Sequence, residues 1–179
     1  MKPSFLLSTM VVALAVGCAE PNINSTGTGP TDPDPADTIW TISLRASTGD
    51  YVTAKLNSEG DDKEILVAQS PWVGEWEQFT MIQRADSTVN FRAANGMFVC
   101  SDGDRGNLLV ANRSGASTWE AFLLVPLDSG KVALQAWNGQ FVTAHQGLEG
   151  ARKGLLIGDR SEVKDWERFR IDTVRTAGR

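Results

Sequence analysis

The chain has 179 residues, of which 22% are charged and 41% hydrophobic, enough for one globular domain and a tail. Its formal net charge of −5 is carried largely by Glu20, Asp32, Asp34 and Asp37 near the start, so no basic field exists to gather phosphates and a nucleic-acid partner is excluded. Two cysteines, Cys18 and Cys100, and one histidine, His145, supply neither a disulfide framework nor a cluster with metal-ligand spacing, and no metal or other cofactor is expected.

In chain order, Lys2 gives a positive start and Phe5 to Val16 form a mostly apolar run, shorter than the roughly 20 residues a spanning helix needs. Small residues then lead to Cys18: Ala15-Val16-Gly17-Cys18. Residues 1–17 have the form of a secretory signal peptide. The segment also resembles the lipobox of bacterial lipoproteins, with Ala15 where the usual box has Leu. The resemblance implies that Cys18 becomes the first mature residue and is acylated, and several acyl chains would hold the protein stably on a lipid bilayer. Ala19 after the cysteine resembles the outer-membrane sorting pattern of Gram-negative lipoproteins. The expected location is therefore exported and lipid-anchored to the bacterial envelope. Residues 18–38 are rich in Pro, Gly, Asp, Asn and Thr, with Ile23 the one large apolar side chain after Cys18. Such a segment cannot bury enough surface to offset its ordering entropy, and it reads as a disordered tether. Residues 175–179 read as a disordered tail.

Three repeats follow, over about 39–85, 86–128 and 129–174. Each opens on an apolar run into a turn: Ile42-Ser43-Leu44-Arg45-Ala46, Val89-Asn90-Phe91-Arg92-Ala93 and Val132-Ala133-Leu134-Gln135-Ala136. Asn95-Gly96 and Asn138-Gly139 are strong turn signals because both residue types tolerate positive φ, and Thr48-Gly49 is a weaker version. An aromatic-Val pair restarts each chain segment at Tyr51, Phe98 and Phe141. A third apolar run follows, at Ile65, Leu108 and Leu155, and then Trp-Glu-x-Phe at Trp76, Trp119 and Trp166. The tryptophans lie 43 and 47 residues apart, and the extra residues fall in the polar loops 55–64 and 145–154, where length variation belongs. Alternation of apolar and polar residues predicts strands, four to a repeat, and no helix. Trp40 is expected to start the first strand and close the barrel against the last.

Three four-strand repeats of this length resemble a β-trefoil, which implies an all-β barrel capped by three hairpins. Among trefoils, the pattern apolar-x-Leu-x-Ala, Gly-x-aromatic-Val, Leu-x-Ala-Asn-Arg and Trp-Glu-x-Phe resembles the fascin-like family, with repeat two the best match. That family raises actin bundling, which needs two filament sites that one trefoil does not offer. Gln135-Ala136-Trp137 spells the Gln-x-Trp of ricin-type lectins, but at the end of a first strand rather than on a fourth, so it is read as coincidence.

Residues that recur with the fold serve the fold. Trp76, Phe79, Trp119, Phe122, Trp166 and Phe169 are assigned to packing. Glu77, Glu120 and Glu167 are expected to accept backbone N–H bonds at neighbouring turns. Cys100 stands where the other repeats have Thr53 and Thr143 and reads as a buried, inert thiol. The acidic loop with Glu59, Asp61, Asp62 and Glu64 reads as solvated. Residues that break the symmetry are the candidate ligand-binding set: Trp137, in a turn where the other repeats have Ser47 and Ala94; Asn138, Gln140 and His145 close to it; and Trp72, whose equivalents are Gly115 and Glu162. Aromatic rings stack on apolar sugar faces and amides bond hydroxyls, which points to a glycan; His145 itself reads as a solvated hairpin residue. With no nucleophile–base pairing and no phosphate loop, the expectation is a monomeric, non-catalytic module that binds carbohydrate or, alternatively, docks an envelope or extracellular protein.

Overall fold

The computed structural model describes residues 37–174. The segments read as a signal peptide, a lipidated Cys18, a tether (up to residue 36) and a tail (175–179) lie outside the described residues. Twelve strands are present among the described residues: β1 (Thr38–Ala46), β2 (Tyr51–Ala54), β3 (Leu66–Ser70), β4 (Phe79–Gln83), β5 (Val89–Arg92), β6 (Phe98–Asp102), β7 (Leu108–Arg113), β8 (Leu123–Pro126), β9 (Val132–Gln135), β10 (Phe141–His145), β11 (Leu155–Arg160) and β12 (Phe169–Thr173). The described residues start slightly before the expected domain boundary at residue 39. Asp37 already accepts from Arg84 Nη1 at 2.6 Å.

The first and fourth strands of each repeat close a barrel. β1 pairs with β4, β4 with β5, β8 with β9, β9 with β12 and β12 with β1, and the Val89–Phe122 bridge joins β5 to β8. Closure leaves no long unpaired edge in the barrel. The second and third strands form three hairpins, β2–β3, β6–β7 and β10–β11. This is a β-trefoil. Trp40 is placed differently from expectation. It faces Met81 of β4, and pairing with β12 begins only at Ile42. β1 is long enough to serve two neighbours in turn, and Trp40 lies on the half given to its own repeat.

Period-two alternation puts Ile42, Leu44 and Ala46 inside with Met81, Phe91 and Leu134. Phe79, Phe122 and Phe169 are fully buried in the same core, each contributing about 1.5–3 kcal/mol by burial. A second, small core sits where the hairpins meet: Ile65, Val67 and Leu155, with Leu108 and Ile157 against them. Its members are repeat equivalents, held by three like contacts, Ile65–Val110, Val67–Leu155 and Leu108–Ile157.

The residue before each third strand bonds across this triangle. Ala68 N donates to Gly154 O, Ala111 N to Glu64 O and Gly158 N to Asn107 O, all at 2.8–2.9 Å. Glu64, Asn107 and Gly154 all have φ near +60° to +75°, a left-handed conformation that costs a side-chain-bearing residue about 1 kcal/mol or more. In the Asn-Gly turns only the glycine takes positive φ (+76° at Gly96, +77° at Gly139). The asparagines act through their side chains instead. The acidic loop is solvated, with Glu59 and Asp61 exposed, and is also pinned at two points: Arg105 Nη2 donates to Asp61 O at 2.7 Å and Arg152 Nε to Asp62 Oδ1 at 3.0 Å.

Candidate functional site

The Trp-Glu turn before each fourth strand divides its two residues between inside and outside. The glutamates are buried. Their Oε2 atoms accept from Gly74 N at 2.8 Å, Ser117 N at 2.7 Å and Lys164 N at 2.7 Å, because a buried carboxylate must find donors and the turn supplies one. The tryptophans are not core residues. Trp76 and Trp166 remain 37% and 38% exposed, and the packing role falls to the phenylalanine three residues on.

Repeat two builds on this arrangement. Thr53 and Thr143 hydroxyls donate to Oε1 of Glu77 and Glu167 at 2.7 and 2.8 Å. Cys100 cannot do so as well. Its Sγ turns to Asn112 Oδ1 at 3.6 Å, and Arg113 Nε approaches Glu120 Oε1 at 3.9 Å. Arg113 also reaches Asp102 Oδ2 at 3.4 Å. Held by two carboxylates, its guanidinium lies over the Trp119 ring, 5.5 Å from the centroid, a cation–π contact. Trp119 in turn stacks on Trp137, with centroids 5.8 Å apart and planes 17° from parallel. Trp137 Nε1 donates to Ser101 O at 2.8 Å, yet the residue stays 39% exposed. Gly103 lies against both rings. A Cβ there would come within 3.1 Å of Trp137 and 3.4 Å of Trp119. Beside Trp119 opens a cleft of about 480 Å³ lined by Asp104, Arg113, Ser114, Ser117, Trp119 and Glu120.

Repeat three holds the equivalent cleft, about 450 Å³, lined by Arg160, Ser161, Glu162, Lys164 and Trp166 among others. His145 stands behind it. It is half-buried rather than solvated, with Nε2 3.0 Å from Asp159 Oδ2 and its ring 6.5 Å from that of Trp166. Thus Trp137 and His145, neighbours in sequence, serve different tryptophans. Asn138 spends its amide on the fold: Nδ2 donates to Gly158 O at 3.0 Å and Oδ1 accepts from Gln140 N at 3.0 Å. Asn95 makes the same two bonds, to Ala111 O and from Met97 N, so Asn138 follows the symmetry after all. Gln140 is half-buried beside it. Trp72 belongs to the repeat-one loop, 71% exposed, and joins the exposed Val73 and Trp76 in an apolar stretch. Sequence reading missed Trp119, Arg113 and Asp102. The available signal was the Arg-Ser pair shared by Arg113 and Arg160, where repeat one has Ser70 and Pro71.

Cys100 is fully buried, and burial pushes its thiol above the ordinary 9.0, the wrong direction for a nucleophile.

A family model described as Domain of unknown function (DUF7910) matches residues 41–150. The chain belongs to this family. The DUF7910 match runs from β1 into the loop after β10. No curated protein matches the chain. Solved structures similar to this DUF7910 chain are trefoils. A designed 3-fold symmetric protein, ThreeFoil, is 14% identical, with a TM-score of 0.61, covering 74% of this chain and 96% of its own. A Haemophilus ducreyi cytolethal distending toxin chain is 17% identical, with a TM-score of 0.61, covering 78% and 87%. An exo-beta-1,3-galactanase from Clostridium thermocellum is 11% identical, with a TM-score of 0.62, covering 79% of this chain but only 31% of the enzyme chain. At these identities the likeness is one of fold.

Proposed function

We propose that this chain is a non-catalytic module that recognises carbohydrate, displayed on a bacterial envelope. The observation that carries the reading is the Trp137–Trp119 stack, with Trp137 partly exposed, Arg113 beside it and a polar cleft alongside Trp119. A rigid aromatic face suits the apolar side of a pyranose, while Asp104, Arg113, Ser114 and Ser117 offer donors and acceptors to hydroxyls. Both rings are already held by packing and by the Ser101 bond, so little side-chain entropy is lost on binding. The galactanase neighbour, an enzyme on a galactan, carries a trefoil as about a third of its chain, which supports a targeting role for such a domain. Acylated Cys18 and the tether 18–38 would hold the monomeric domain at the membrane, on the outer membrane of a Gram-negative cell. The wording of the repeats supports a fascin-like lineage for the trefoil.

A glycan array probed with the protein, beside Trp137→Ala and Trp72→Ala variants checked for folding, tests this. Binding abolished in Trp137→Ala and kept in Trp72→Ala is the expected result. Binding unchanged in Trp137→Ala would remove this site. A second reading, docking of an envelope or extracellular protein, is favoured by one observation: Trp72, Val73 and Trp76 are exposed together on a single loop, the kind of aromatic anchor that interfaces use. Absence of any glycan binding, with a saturable envelope protein partner lost in Trp72→Ala, would establish it.

A further inference from the structure

The barrel carries one cleft whose chemistry differs from that of the rim. It lies between repeats three and one and has a volume of about 180 Å³. Arg45, Lys131, Arg168 and Arg170 line it with Ser47 and Gly49, and no acidic residue is among its lining. The cations come from β1, from β12 and the residue before it, and from the residue before β9. Arg45 of β1 stands directly opposite Arg170 of β12. Phe169 faces Val132, so the next step along the same antiparallel ladder brings Arg170 level with Lys131. Like charges placed opposite one another on a sheet destabilise it.

The fold does not require this row, because the same place occurs twice more. Between repeats one and two Thr80 pairs with Arg92 on one side and Thr41 on the other, giving Arg-Thr-Thr in place of Arg-Arg-Lys. The cleft there is lined by Thr41, Glu75, Gln78, Thr80 and Arg92 among others. Between repeats two and three the pairing is Leu123 with Gln135, with no cation. One scaffold position thus appears in three versions, and only one is built from converging positive charge.

Arg45 is also held ready. Its Nε donates to Gly49 O at 2.7 Å and its guanidinium lies 5.4 Å from the Tyr51 ring centroid. Neither partner neutralises it. Arg168 is different, since Asp128 Oδ1 accepts from its Nη1 at 2.5 Å. Arg45 and Arg170 make no ion pair among the described residues, and Lys131 shares Asp128 with Arg168; the three surround a space of a few water volumes, at about 30 Å³ each. That space is too small for a nucleic-acid strand and suits one oxyanion, which guanidinium groups bind with paired N–H bonds.

We propose that this cleft is an anion site for a phosphate or sulfate group, with Arg45, Arg170 and Lys131 as its ligands. It does not depend on the carbohydrate reading. The oxyanion can be a free ion, a substituent on a saccharide or a lipid headgroup, and the test separates these sources. The full-length chain is titrated at low ionic strength with inorganic phosphate, with a sulfated oligosaccharide and with phosphatidylglycerol vesicles in a phosphatidylcholine background. The expected result is saturable binding in at least one arm, with an affinity at least ten-fold weaker in both Arg170→Gln and Lys131→Gln and unchanged in Arg105→Gln. Arg170 is exposed, so its variant should fold, and circular dichroism checks this. The tightest arm identifies the carrier. Absence of saturable binding in all three arms, or binding that survives both substitutions, overturns the proposal.

Discussion

Repeats one and three differ from repeat two at the side chain that meets the glutamate's Oε1, and the difference reaches the surface. Where Thr53 and Thr143 satisfy Glu77 and Glu167 with a short hydroxyl bond, Cys100 leaves Oε1 of Glu120 to Arg113. The carboxylate that only ties down a turn in two repeats also orients a cation in the third. That cation covers Trp119, and Trp119 carries Trp137. A fold-maintaining residue has thereby become a positioning residue for a candidate binding face, without moving in the fold. A buried side chain that recurs by symmetry can still do something particular, if its neighbour has changed.

The largest effect expected from breaking this comparison is on the glutamates. Glu167→Ala strands the Lys164 N–H and the Thr143 hydroxyl, and should cost about 2–4 kcal/mol by urea unfolding. Glycan binding at the Trp137 face should survive. Glu120→Ala should cost a similar amount and also weaken binding, and equal binding by both variants would separate Arg113 from the site. Next is the hairpin triangle, where the three repeats place Glu64, Asn107 and Gly154 alike. A Cβ at Gly154 would lie 2.4 Å from Ala68 O, so Gly154→Ala should cost about 1–3 kcal/mol by overpacking, read as a fall in melting temperature. An unchanged melting temperature would mean that the backbone there adjusts freely.

The smallest and most diagnostic change is Cys100→Thr. It gives repeat two the hydroxyl bond of the others and should add about 0.5–1.5 kcal/mol, while releasing Arg113 and weakening glycan binding. It also changes the alkaline limb of the stability profile. Because burial raises the Cys100 thiol above 9.0, the unfolded chain gives up that proton first, and stability falls as pH rises above 9. Urea midpoints between pH 8 and pH 10 should drop less in the threonine variant.

The trefoil was legible because its apolar positions recur three times, and repetition suppresses the ambiguity of any single strand. The inside–outside split of Trp-Glu was not legible. Recurrence marks both residues equally and does not say which one the turn faces inward. His145 and Asn138 were misjudged for a related reason. Their partners, Asp159 and Gly158, lie on the other arm of a hairpin, beyond the reach of local spacing. The basic cleft was hidden by arithmetic, since a net charge averages over positions. Arg45, Lys131 and Arg170 are far apart in sequence and meet only when the barrel closes.

That closure has a further consequence. The first and last strands are zipped together, with Ile42 facing Thr173 and Val174 N bonded to Thr41 O at 2.9 Å. Both ends of the described domain therefore emerge from neighbouring strands, with β1 running only a few residues past the contact. The ring of repeats has no privileged starting point. A circular permutant that joins residue 37 to residue 174 through a short linker, and opens in the loop at Asp86-Ser87, would keep every barrel pairing. Its new ends would lie on the side of another repeat, between β4 and β5 instead of beside β1 and β12.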